Sequence, residues 1–176
     1  MSRLHSLEVT KLDRKRGIKL PRIISTELAY FCGILAGDGH IAYNRSKGRY
    51  LIKCIGNPSD EKPFYIDVVV PMIKKLFGMS VSAKLYDNGT TYGFLILSKT
   101  LVEFLCFTLG MPHGNKSGII KINKCFLKSE ALTVSFIRGF ADTDFCLTLK
   151  KRYKTVHYYP VIVGVSKSKN IIETDM

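Results

Sequence analysis

A mixed α+β fold made of two similar units, the second of them incomplete, is what this sequence predicts. Three observations carry it. The order helix, strand pair, helix, strand pair, helix starts again near residue 129. Two apolar helices end in a carboxylate, at Asp38 and at Asp144, one repeat length of 106 residues apart. Between them, Asp87-Asn88-Gly89-Thr90 separates two strand-like runs with a turn signal of the Asx-Gly kind.

The elements follow in chain order. Residues 1–24 carry seven Lys and Arg against Glu8 and Asp13, with little apolar periodicity before Pro21, and read as a basic arm, either gripping nucleic acid or solvated. Ser25-Thr26 is a cap signal for a helix that runs to Gly37 and is apolar nearly all round, so it must be buried on most sides. Strand patterns follow at 40–46 and 49–56. Next comes a helix at 59–77, capped by Ser59 with Asp60 and Glu61 on its positive N-terminal end. The hairpin 81–86 and 92–97 leads to a short helix, 99–109, stopped by Gly110 and Pro112. After an irregular basic stretch, Ser129-Glu130 opens the second apolar helix, which ends in Asp142 and Asp144. Strand patterns at 145–152 and 156–166 follow it.

Composition narrows the class of protein. An apolar fraction of 46% with 23% charged residues belongs to a folded chain, not a disordered one. The net charge of +13 attracts polyanions, of which nucleic acid is the commonest. No apolar run reaches the roughly 18 residues of a spanning helix, and the N-terminus has no secretory signal pattern, so a cytoplasmic location with no membrane partner is expected. The five cysteines form no C-x-x-C pair and sit among apolar neighbours, where small buried side chains are expected instead of a disulfide framework or a zinc site.

Two carboxylates on the ends of adjacent helices make a hard oxygen site suited to magnesium. A carboxylate at a helix C-terminus is disfavoured by the helix dipole, so a pair of them calls for a compensating cation. Aligned on Asp38 and Asp144, the two segments put Gly33 on Gly139 and Gly37 on Thr143, small residues that let two helices approach closely. Asp142 has no counterpart at Ala36 and is an ambiguous third acid. His40 either contacts metal-bound water or simply begins a strand.

The stretches CGILAGDGH at 32–40 and FIRGFADTD at 136–144 resemble the LAGLIDADG homing endonucleases, and the run IGNPSD at 55–60 does so too. The likeness covers residues 25–176. It implies a saddle of antiparallel strands with two central motif helices, the second repeat truncated, lying on double-stranded DNA. Residues 1–24 would then be the arm, 25–128 the first repeat and 129–176 the second. Asp38 and Asp144 would be catalytic acids and ligands of Mg2+ in site-specific phosphodiester hydrolysis serving intron or intein mobility. Gly33, Gly37, Gly139 and Thr143 would pack the motif helices. Two departures stand out: Phe145 occupies the place of the usual glycine, and the second repeat lacks its later hairpin and helices. The same scaffold also supports a non-catalytic DNA-binding protein, a regulator or maturase.

Strand alternation sets Tyr50, Ile52 and Cys54 in the core and leaves Arg49 and Lys53 on the DNA side, as it does Lys150 and Arg152 after the second motif. Lys53 or Lys150 is also a candidate lysine for the catalytic pocket. Lys116, Lys121, Lys124 and Lys128 either bind phosphates or keep a loop soluble. An open strand edge at 161–165 predicts a homo-oligomer or a further C-terminal segment as partner.

Overall fold

The computed structural model describes residues 7–116, 119, 121–151 and 158–164. Its architecture is mixed α+β. Helix α1 (Lys11–Lys15) precedes α2 (Thr26–Gly37), strands β1 (Gly39–Asn44) and β2 (Arg49–Gly56), helix α3 (Val70–Phe77), strands β3 (Lys84–Tyr86) and β4 (Thr91–Leu97), and helix α4 (Lys99–Glu103). The second half contributes α5 (Glu130–Asp144) and the hairpin β5 (Phe145–Lys151) and β6 (Tyr158–Gly164).

The first four strands form one antiparallel sheet in the order β1-β2-β4-β3, while β5 and β6 pair only with each other. Cross-strand register fixes which side chains share a face. Ile52 and Cys54 on β2 stand beside Ile41 on β1 and Phe94 and Ile96 on β4, all buried against the helices. Arg49, Lys53, His40, Lys84 and Tyr86 occupy the opposite, outward face. Phe31 of α2 ties the layers together, stacking on Phe94 at 6.4 Å between ring centres and meeting Phe77 of α3 edge-on at 5.4 Å.

Two helices depart from regularity. A π-helical run, Phe64–Val69, leads directly into α3, whose second residue is Pro71. Proline has no N–H for the Asp67 carbonyl and its ring crowds that oxygen, so the wider turn absorbs the misfit. A second π-helical run, Phe104–Thr108, continues α4. In the β3–β4 hairpin the turn residues Asp87 and Asn88 take the left-handed conformation, with φ of 51° and 58°, which Asx residues tolerate.

Residues 10–19 of the basic arm are no solvated tail. Ile18 is buried, Lys19 N donates to Phe77 O at 2.8 Å, and the buried Asp13 carboxylate accepts from Thr100 N at 3.0 Å and Thr10 Oγ1 at 2.9 Å. Burial pushes the Asp13 carboxyl up, but the bonds from Thr100, Thr10 and Ser98 outweigh it and hold the group below its ordinary value. An acid in a basic stretch thus pins that stretch to the start of α4, a tertiary contact that periodicity cannot reveal.

Candidate functional site

The site is assembled at the ends of α2 and α5. Both helices begin with a serine cap, Ser25 Oγ accepting from Leu28 N at 3.1 Å and Ser129 Oγ from Leu132 N at 3.3 Å. They then cross with their backbones in contact. A side chain at Gly33 would collide with the Phe136 carbonyl, and one at Gly139 with the Tyr30 carbonyl. Residues 30 and 136, like 33 and 139, are one repeat length apart, so the two contacts are the same contact seen from either helix. This is the signature of a pseudo-twofold axis between them. Gly37 meets the Thr143 side chain, whose hydroxyl donates to Phe140 O at 3.1 Å. The Gly33, Gly37, Gly139 and Thr143 positions therefore all lie in the helix contact.

Past that crossing the two acids come together. Asp38 caps the C-terminal end of α2, and Asp144 is the last residue of α5. Burial, then the negative charges of Glu61 and Asp144, push the Asp38 carboxyl up to about 6 against the opposing pull of Lys116. Burial also raises the Asp144 carboxyl, again against Lys116.

Lys116 completes the arrangement. Its ammonium donates to Leu35 O at 3.1 Å and Ala36 O at 2.7 Å, and also to Gly37 O, so it caps the negative end of α2. Burial lowers its affinity for a proton, and the charges of Asp144 and Asp38 partly restore it. The loop is held there by Gly114 N, which donates to Ile41 O of β1 at 2.8 Å, and by buried Met111.

The remaining predicted residues fall elsewhere. Lys53 lies on the outward sheet face, 3.4 Å from Asp87 and over the Tyr86 ring at 5.5 Å, and Arg49 is exposed at the start of β2. Lys150 is exposed on β5 and Arg152 lies outside the described residues. The cation beside the acids is accordingly Lys116, in place of Lys53 or Lys150. Asp142 accepts from the Tyr30 hydroxyl at 2.7 Å, with Arg138 3.9 Å away, and so serves as a clasp between α5 and α2. The Phe145 ring packs edge-on against Phe140 at 5.7 Å and against Gly164, on the hairpin.

Comparison with known proteins gives distant matches. No family model matches the chain. It is 29% identical over 143 residues to an A-type ATP synthase subunit of Pyrococcus abyssi, covering 76% of this chain and 12% of that protein. It is 24% identical over 144 residues to the reverse gyrase of Methanocaldococcus jannaschii, covering 82% of this chain and 7% of that protein. The chain thus spans only a small part of either relative. Among solved structures it is similar to mesophilic variants of the homing endonuclease I-DmoI, at a TM-score of 0.48 and 17% identity over 69% of this chain and 62% of that one. It is also similar to I-DmoI in complex with DNA and Mn, at a TM-score of 0.46 and 16% identity over 69% of this chain and 63% of that one.

Sequence reasoning missed Lys116 and Glu61 as parts of the site. In sequence Lys116 reads only as one of four loop lysines that bind phosphates or keep the loop soluble, because a lysine in an irregular loop is placed beside the acids only by tertiary contacts. Glu61 reads as an acid suited to the positive end of a helix, and in the structure Asn57 N donates to Glu61 Oε1 at 3.0 Å and Glu61 N to Asn57 O at 3.0 Å, at the start of that helix.

Proposed function

We propose that this chain is a metal-dependent endonuclease that hydrolyses phosphodiester bonds of double-stranded DNA at specific sites, with Mg2+ held by Asp38 and Asp144. The observation that carries this reading is the convergence of two carboxylates and one half-buried ammonium at the end of a backbone-to-backbone helix crossing. Nothing in helix packing requires that cluster. It is costly, as the raised Asp38 carboxyl testifies, and a divalent cation would relieve the cost.

The donor set fits such an ion. Two carboxylates are few for a closed protein cage, and among the described residues no three His, Cys, Asp or Glu side chains converge on one point. Magnesium, however, is commonly held by one or two carboxylates and completes its shell with water and phosphate oxygens. When bound, it supplies Lewis-acid charge to the phosphate and acidifies a bound water. The residues of the chain have separate tasks. Asp38 and Asp144 would hold the ion between the ends of α2 and α5. Lys116 fixes the last turn of α2 through the Leu35, Ala36 and Gly37 carbonyls, hence the direction of Asp38, and its charge would favour a phosphate held beside the acids. The cationic outward face of the sheet, with Arg49, Lys53 and Lys84, offers the duplex a surface continuous with this site.

Phe145, a bulky ring directly after Asp144 where close backbone approach would suit a glycine, favours a second reading, a DNA-binding protein that does not cut. One experiment separates the two. A pool of supercoiled plasmids carrying random inserts is incubated with the protein and Mg2+, and any linear ends are sequenced. Cleavage at a recurrent sequence is expected, absent with EDTA and in Asp38→Asn, with duplex binding retained. Binding without cleavage selects the second reading, and cleavage that survives both Asp38→Asn and Asp144→Asn overturns the metal assignment.

A further inference from the structure

At the end of the sheet remote from the acids, three separate pieces of chain enclose an open cleft of about 610 Å³. The N-terminal segment contributes Arg16, the β1–β2 turn Lys47 and Arg49, and the start of α4 Lys99, over a floor that includes Leu97. All four cationic residues are exposed. The one acid in the lining, Asp13, is buried and engaged by Thr10 and Thr100, so it does not offset them at the rim. Glu103 partly answers Lys99, at 3.8 Å.

The walls are fixed in place. Arg16 Nη1 donates to Leu97 O at 2.6 Å, and the Asp13 and Thr10 bonds to Thr100 hold α1 against α4. The β1–β2 turn is braced by Asn44 Oδ1, which accepts from Lys47 N and Ser46 Oγ, each at 2.9 Å. Like charges brought together on braced supports raise a local field that favours a polyanion. Leu97 and Arg49 belong to the same outward face as Lys53, which is paired across from His40 and lies 3.4 Å from Asp87, so the cleft lies on the face that runs toward the Asp38 end of the sheet.

We infer that this cleft is a phosphate-binding subsite for the flank of a DNA duplex, in which the N-terminal segment extends the contact beyond the sheet. The inference rests on the DNA reading above. Its position follows from the register. Gly39, next to Asp38, pairs with Cys54, and Arg49 lies five residues further along β2, so cleft and acids are roughly 17 Å apart at about 3.3 Å per residue. Along a duplex that distance is about five base pairs.

The test measures binding of the whole protein to a labelled random-sequence duplex over a range of salt. The variants are Arg16→Gln with Lys47→Gln, and a control of equal charge, Lys74→Gln with Lys75→Gln, on α3 behind the sheet. Each lost phosphate contact lowers the log–log salt slope by about 0.9. The cleft variant is expected to be shallower by about 1.8, and the control to follow wild type. Equal slopes for cleft variant and wild type, or equal loss in both variants, overturn the inference while leaving duplex binding itself intact. A wild-type protein that does not bind duplex DNA removes the DNA reading as well. Both pairs of side chains are exposed, and Lys47→Gln alone, expected to lower the slope by half as much, repeats the test without touching the Arg16 bond.

Discussion

The hairpins β1–β2 and β5–β6 occupy equivalent places, each starting at the residue after one of the paired acids, yet they live in different surroundings. On the first, Ile52 and Cys54 are 1% and 0% exposed, because β4, α3 and α4 complete a layer around them. On the second, Leu147, Leu149 and Ile162 are 70%, 64% and 69% exposed, and among the described residues the two strands pair with no other strand. The helices differ in the same sense: α2 is buried along most of its length, whereas α5 buries Phe136, Gly139 and Phe140. The integrity of the site therefore depends on a narrow contact. Asp144 is held by the crossing of α5 over α2 and by the Tyr30–Asp142 clasp, not by a core of its own.

Local stability should differ most between the two halves. Amides of β1–β2 should require global unfolding to exchange, whereas an isolated two-stranded ribbon is at best marginal in water, so those of β5–β6 should exchange by local opening. Hydrogen exchange read by mass spectrometry checks this. Equal protection in both hairpins would erase the contrast and point to cover over β5–β6. The same exposed apolar side chains predict self-association, since unpaired edges and apolar faces seek partners. Sedimentation at several concentrations should show it, and Leu147→Lys with Ile162→Lys should reduce it.

Next in size is the helix crossing. Gly33→Val drives a branched side chain into the Phe136 backbone and should cost about 3 kcal/mol or more in urea denaturation, because neither backbone can yield without parting the helices. Asp13→Ala should cost about 2 kcal/mol, the range for a buried hydrogen-bonded charge. Its pH signature has a definite sign. The folded carboxyl lies below its ordinary value, so the stabilisation is present above the unfolded value near 4 and is lost as pH falls through the lowered one. In Asp13→Ala the acid limb of the stability profile should flatten.

A smaller effect has the opposite direction. The folded Asp38 carboxyl is raised to about 6, so its contribution is favourable at low pH and is lost as pH rises through that value. Without metal, Asp38→Asn should stabilise the protein at about pH 7.5 by on the order of 1 kcal/mol, after allowance for solvent screening of a partly exposed group. It should make no difference near pH 4. Added Mg2+ should narrow the gap by stabilising wild type alone.

Much of this was legible in the sequence. Apolar helices with serine caps, the Asx-Gly turn and the β2 alternation are local signals, and each of these elements lies within a few residues of its expected place. The pairing of the acids was legible too, because repetition at a fixed interval imposes symmetry. What was not legible depends on distant segments meeting. Asp13 reads as one charge in a basic arm until Thr100 binds it, and Lys116 reads as a loop lysine until three carbonyls of α2 receive it. Neither partner lies within the window over which local pattern carries information.

Whether the ends of α2 and α5 form one divalent-ion site can be decided without reference to cleavage. Mn2+ is titrated into the protein and its binding followed by the loss of the free-ion paramagnetic signal. A site present in wild type, lost from both Asp38→Asn and Asp144→Asn and retained in Asp142→Asn, is the expected outcome. Binding that survives in either Asp38→Asn or Asp144→Asn as in wild type would contradict it.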